Sequence, residues 1–276
     1  MRAFPASFLL LFYQVALGGL FAIAATPFHE LERGFYKSTA GVLFIVGAIA
    51  LLGKASMVLE SLPEGLKSVA GWEIFFYLLF TLFFALYLFL LWGERVLLRA
   101  RAFTFSLFTG LAGLAITAHS FYQASLWSLE TFVYPLSFFL STLLLGSVTV
   151  GMLIGHWYLI DTGQSIDPFI RIYKFFFIAL VVQIVFFVML PPLLYLLGSP
   201  ATTLRLQQLW EEHRVLLSAR LLIGQVAPLI LSAMIWRTLK IPHTMAATGL
   251  FYIALLGVFV GEILGRQILA LTSLPF

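Results

Sequence analysis

The sequence predicts an all-α fold, a polytopic membrane protein built as one bundle of eight transmembrane helices. It reads as a single transmembrane domain over residues 1–276, with both termini on the outer side. Three observations carry this. Of 276 residues, 62% are hydrophobic and only 10% are charged, whereas a soluble domain is about half apolar and about a quarter charged. Apolar runs recur eight times, at or near the length of about 20 residues that a crossing needs. No stretch of about ten residues alternates polar and apolar positions as a barrel strand would, so helices must satisfy the backbone inside lipid. The composition excludes a soluble enzyme and a disordered chain.

In chain order the spans are Ser7–Ala25, Ser38–Leu52, Trp72–Trp92 and Phe103–Tyr122, then Phe132–Ile160, Ile170–Leu197, Leu217–Trp236 and Ala247–Leu271. Arg2, the first apolar run and Ala22-Ile23-Ala24 imitate a secretory signal; the run is read as a retained first span. The second span is short and carries glycine, so it borrows residues at both ends. The longest connections, Gly53 to Gly71 and Gly198 to Leu216, fall on the same side. Within the second of them, Ala201 to Arg214 sets Leu204, Leu206, Leu209 and Trp210 against polar residues, the pattern of a short interfacial helix. There is no internal repeat and no room for a soluble catalytic domain.

Orientation follows from lysine and arginine in the connections. One side collects Arg33, Lys37, Arg95, Arg99, Arg101, Arg171, Lys174, Arg237 and Lys240. The other has Arg2, Lys54, Lys67, Arg205, Arg214 and Arg220, spread over longer loops. The richer side is expected to be cytoplasmic. The net charge of +4 belongs to this asymmetry and does not point to nucleic acid. With no cysteine, the chain supplies no disulfide, no zinc thiolate and no cluster of its own, and the redox compartment is left unread.

Ionisable groups at membrane depth are costly and are functional candidates by default. Glu262 and Arg266 lie four apart on one face of the last helix, a spacing that fits a structural ion pair. Arg220 enters the seventh span from outside, either to snorkel or to pair with an acid or a ligand oxygen. Glu73, in Gly71-Trp72-Glu73-Ile74, is either a solvated helix-start carboxylate or a half-sunk base able to take a hydroxyl proton. His119 falls near the outer end of the fourth span and His156 near the inner end of the fifth, so the two cannot clasp one haem; haem is not expected. The stretch from His156 to Tyr158, with Asp161, reads as an interfacial aromatic belt or a proton entry point. Gln14, Gln183 and Gln225 read as interhelical hydrogen-bonding partners. Pro191-Pro192 and Pro228 should kink or end helices. The phenylalanines of the third span, Phe75, Phe76, Phe80, Phe83 and Phe84, are expected to face lipid. No phosphate-binding glycine loop, HExxH or GxSxG occurs.

A series of short motifs carries a resemblance. They are Gln14 before Gly18-Gly19, Trp72-Glu73-Ile74-Phe75, and Tyr122 and Trp127 followed by Pro135 to Leu140 and Gly146. The last two are Ser218-Ala219-Arg220 and Gly261-Glu262-Ile263-Leu264-Gly265-Arg266. In this order they resemble the membrane anchor subunit family of dimethyl sulfoxide reductase-type molybdenum oxidoreductases. The resemblance implies an eight-helix subunit of the bacterial inner (cytoplasmic) membrane with both termini outside. It implies that menaquinol binds near the outer surface and passes electrons to an iron–sulfur, ferredoxin-like subunit beside a molybdopterin catalytic subunit. It places the quinol-site glutamate on Glu73. The family's quinol-site histidine has no counterpart in Ala55-Ser56-Met57-Val58-Leu59-Glu60, and His119, Glu60 and His213 are the candidates to replace it. The expected function is a quinol-binding anchor of a respiratory oxidoreductase. The alternatives are a haem-bearing quinol-oxidising subunit and a membrane transporter or scaffold.

Overall fold

The computed structural model describes residues 3–26, 30–59, 69–121, 128–161 and 163–276. The helices are α1 (Ala3–Ala24), α2 (Arg33–Leu59), α3 (Val69–Leu90), α4 (Val96–His119), α5 (Glu130–Ile160), α6 (Asp167–Leu197), α7 (Pro200–Glu212), α8 (Arg214–Leu221), α9 (Ala227–Lys240) and α10 (Thr244–Thr272). A π-helical segment, Leu222–Val226, joins α8 to α9 into one continuous rod. Counting that rod once, eight helices among the described residues are long and apolar enough to cross a membrane. The chain is a polytopic helical bundle, with no strand among the described residues.

The bundle has a near end, where α1 begins, and an opposite, far end. Helices α1, α5 and α10 form the middle, with α2, α3 and α4 on one flank and α6, α9 and the α8 segment on the other. The α1–α5 crossing is a backbone contact: a Cβ on Gly18 would fall 1.8 Å from the carbonyl oxygen of Thr142, and one on Gly146 1.8 Å from the carbonyl carbon of Gly18. Small residues permit this approach where lipid removes the hydrophobic drive between helices. Outward faces carry Leu82, Phe89, Phe108, Val188 and Leu196, all exposed, a surface suited to a lipid bilayer.

Several expected boundaries move. The second span extends at both ends to Arg33–Leu59, taking Lys54 out of the expected loop and into α2. The fourth begins at Val96, so Arg99 and Arg101 are helical. Pro191 and Pro192 do not end α6, which continues to Leu197. Phe80 and Phe84 are fully buried rather than lipid-facing, because they point between α3 and its neighbours, while Phe75 is exposed. The expected interfacial helix is present as α7, with Leu209 buried and Leu204 and Trp210 exposed. Its start is anchored by Glu130, whose Oε1 accepts hydrogen bonds from Ser199 N and Thr202 Oγ1, each at 2.8 Å. Helix α7, the ends of α6 and α8, and Phe276 enclose an apolar cavity of about 300 Å³.

Candidate functional site

Glu73 lies one turn inside the near end of α3, about 6 Å along its axis at 1.5 Å per residue. It is 1% exposed, so it is not a solvated helix-start residue. Burial of a lone carboxylate is expensive unless the charge is paired and hydrogen-bonded, and both conditions are met. Lys54 Nζ from α2 sits 2.8 Å from Oε2, and Thr117 Oγ1 from α4 donates to Oε1 at 2.7 Å. Thr117 has one hydroxyl proton. Its other acceptor, the Gly113 carbonyl at 2.9 Å, is neutral, and a carboxylate makes the stronger hydrogen bond. With that proton on Glu73, Tyr77 is the donor in its 3.1 Å contact with Thr117 Oγ1. The result is a relay from Tyr77 through Thr117 to Glu73, closed on the other side by an ammonium group.

Aromatic rings wall the relay. Tyr13 of α1 stacks on Tyr77 with centroids 3.7 Å apart and planes 3° from parallel, and its hydroxyl donates to the Gly110 carbonyl at 2.9 Å. Gly113 makes room for the pair, since a Cβ there would fall 2.5 Å from the Tyr13 hydroxyl. Outside the seam between α3 and α4, Val69, Trp72, Ala115, Ile116 and His119 line an open apolar groove of about 360 Å³. Its walls include the chain neighbours of Glu73 and Thr117, while Glu73 itself faces inward.

A second polar cluster lies deeper, around Glu262 of α10. Arg220 Nη2 donates to its Oε1 at 2.6 Å and Arg266 Nη2 to its Oε2 at 3.1 Å. Gln183 Nε2 donates to the same Oε1 at 3.0 Å and to Ser141 Oγ at 3.0 Å, and Gln225 Nε2 donates to Gln183 Oε1 at 3.0 Å. The guanidinium groups of Arg220 and Arg266 rest over the rings of Phe187 and Phe138. Arg220 is 1% exposed; it does not snorkel, and its partner is an acid of α10. It fits because Gly224 and Gly261 carry no side chain: a Cβ on either would fall 2.4 or 3.0 Å from Nη1. The π-helical segment carries Gly224 past Gly261 at this point, so the widened turn and the buried arginine belong to one arrangement. Helix α1 links the two clusters: Tyr13 stacks on Tyr77, and the next residue, Gln14, donates to the carbonyl of Phe138, whose ring lies under Arg266.

The site residues named above therefore divide. Glu73 and His119 share the near end of the α3–α4 pair, but His119 lines the outer groove while Glu73 faces inward to Lys54 and Thr117. Arg220, Glu262 and Arg266 form one cluster, so the expected pair is a triad. His213 caps the end of α7, with Nε2 4.0 Å from Glu212 Oε2, in the α6–α10 half of the molecule and away from α3. Glu60 lies outside the described residues. His156, at the far end of α5, meets the Tyr252 hydroxyl through Nδ1 at 3.3 Å, opposite in the bundle to His119. No group of three or more metal-ligating side chains occurs among the described residues. The glutamines behave as expected, with Gln14 Nε2 donating to the Phe138 carbonyl at 2.8 Å.

Sequence reasoning missed Lys54, Thr117, Tyr77 and Tyr13. Lys54 left a trace: Met57 to Leu59 resume the apolar run beyond it, so one lysine interrupts a span without ending it. Thr117 left a weaker one, since Gly110, Gly113 and Thr117 form a small-residue face on α4. No protein-family model, curated protein or solved structure matches the chain.

Proposed function

We propose that the chain is a quinol-binding membrane anchor subunit of a multisubunit respiratory oxidoreductase, exchanging electrons between menaquinol and an iron–sulfur partner. The observation that carries this reading is the buried Lys54–Glu73 pair with its hydroxyl relay, set beside an apolar groove at the near end. A quinol is a flat apolar ring with two opposed hydroxyls, and its pocket combines aromatic walls with a few hydrogen-bonding groups. The residues fit that chemistry. Trp72 and the groove receive apolar surface, Glu73 faces inward behind that wall and takes up the hydroxyl proton across it, and Thr117 and Tyr77 adjust their hydrogen bonds as its charge changes. Lys54 stabilises the carboxylate and occupies the role for which the resembling family uses a histidine. A chain without cysteine hands the electrons to a partner, an iron–sulfur subunit docked beside a molybdopterin catalytic subunit.

In this reading the far end, which carries Arg33, Arg95, Arg171 and Lys240, faces the cytoplasm. Both termini and Glu73 then face outward across the bacterial inner membrane. A transporter is the second reading, favoured by the π-helical interruption of the seventh span beside the buried Glu262 triad, a feature of helices that line substrate paths. Purification in mild detergent, with identification of the copurifying chains and an iron assay, tests the first reading. An iron–sulfur subunit and a molybdopterin subunit should accompany the chain. A stable lone chain with no iron would overturn it.

A further inference from the structure

At the far end, α3 and α4 enclose a pocket of about 260 Å³ lined by Tyr87, Val96, Arg99, Ala100, Phe103 and Thr104. The lining is mostly apolar, yet it contains two polar groups whose hydrogen-bonding capacity is unused. Tyr87 is 1% exposed and its hydroxyl has no hydrogen-bond partner; Nη1 of Arg99 is likewise buried and unpartnered. A buried hydroxyl or guanidinium nitrogen left unmatched costs stability, and most such groups in folded proteins are satisfied. The nearby acid is committed elsewhere: both Glu94 oxygens accept from Arg33, at 2.9 and 3.2 Å. Arg99, partly exposed, therefore lines the pocket as a cation with no ion pair of its own, its nearest acid already held by Arg33.

The surroundings narrow the ligand. Exposed Arg95 adds positive charge at the same end, and Lys37 lies 5.1 Å over the Trp92 ring. Exposed Leu97, Leu98 and Phe89 form an apolar surface beside the pocket. An anion with a long apolar tail matches both halves, and basic pockets between transmembrane helices are known to hold anionic headgroups. We propose that this pocket binds one anionic phospholipid, its phosphate on Arg99 and the Tyr87 hydroxyl and its acyl chains along Val96, Ala100 and Phe103. A guanidinium offers a planar set of donors suited to phosphate, and a small shift of the side chain brings its buried nitrogen to the ligand. The proposal is independent of the quinol reading.

Native mass spectrometry of the purified protein, with whatever subunits accompany it, tests this after exchange into equal amounts of phosphatidylglycerol and phosphatidylcholine. One phosphatidylglycerol should be retained preferentially. Arg99→Gln should lower its affinity about tenfold, the scale of one lost charge-assisted hydrogen bond. Tyr87→Phe, which keeps the ring, should lower it by a smaller factor. Arg101→Gln removes an equal charge from an exposed position of the same helix and should leave retention unchanged. Equal retention of the two lipids overturns the proposal, as does a loss in Arg101→Gln as large as in Arg99→Gln. Undiminished retention in a folded Arg99→Gln or Tyr87→Phe protein also overturns it. Displacement of the lipid by millimolar inorganic phosphate would identify a site for free phosphate instead.

Discussion

Lys54 Nζ and Glu73 Oε2 meet at 2.8 Å across the α2–α3 interface, with 12% and 2% of the two side chains exposed. The contact neutralises a carboxylate that Thr117 and Tyr77 already supply with hydrogen bonds. It makes the pair a structural joint and, in the proposed function, the proton-handling element. These two roles separate experimentally.

Lys54→Met leaves the Glu73 carboxylate buried without its counter-charge. Breaking a buried pair from one side costs about 3–5 kcal/mol, whereas replacing both partners is far milder. Thermal unfolding in detergent should show a large loss for Lys54→Met and recovery of much of it in Lys54→Met/Glu73→Gln. A double variant as unstable as the single would assign the damage to lost packing.

Glu73→Gln keeps the side-chain size and removes the base. Measured per assembled complex, because Lys54 loses its partner and yield falls, it should slow menaquinol oxidation by at least about a hundredfold, the low end of what a positioned base contributes. Unchanged turnover with full assembly would make the carboxylate purely structural.

The Glu262 triad carries one anion between two cations. Glu262→Gln leaves Arg220 and Arg266 facing each other without compensation and should cost about 3–5 kcal/mol. Arg266→Met leaves a neutral Arg220–Glu262 pair and should cost clearly less. Folded yield and unfolding midpoint measured together check the order; an equal loss in both variants would refute it.

At the α1–α5 crossing, Gly146→Ala places a methyl 1.8 Å from the Gly18 carbonyl carbon. The helices must part, at a cost of about 1–3 kcal/mol or more. Gly249→Ala meets nothing within 4 Å and should be neutral or stabilising, since alanine favours a helix by about 1 kcal/mol. Comparing the two unfolding midpoints tests whether close backbone approach sets the stability of this crossing.

The eight crossings were legible because length and hydropathy are properties of a run of residues and need no knowledge of its neighbours. The i, i+4 spacing of Glu262 and Arg266 was legible for the same reason. Whatever depends on a partner from another helix was not. Lys54 looked like the end of a span because a lysine alone is costly in lipid, and only Glu73, nineteen positions on, makes its burial tolerable. Arg220 finds its acid 42 positions away, through a π-helical turn that no periodicity announces. Phe80 and Phe84 belong to the same phenylalanine-rich run as the exposed Phe75, and only the packing of α3 tells them apart.

Quinol binding beside Glu73 is tested by titrating a fluorescent quinol-analogue inhibitor onto the purified protein and its Glu73→Gln variant. Saturable quenching is expected for the parent protein, with affinity weakened by about tenfold in Glu73→Gln, the loss of one hydrogen bond to a charged group. Absence of saturable binding to the parent protein, or identical affinity in the fully assembled variant, would contradict it.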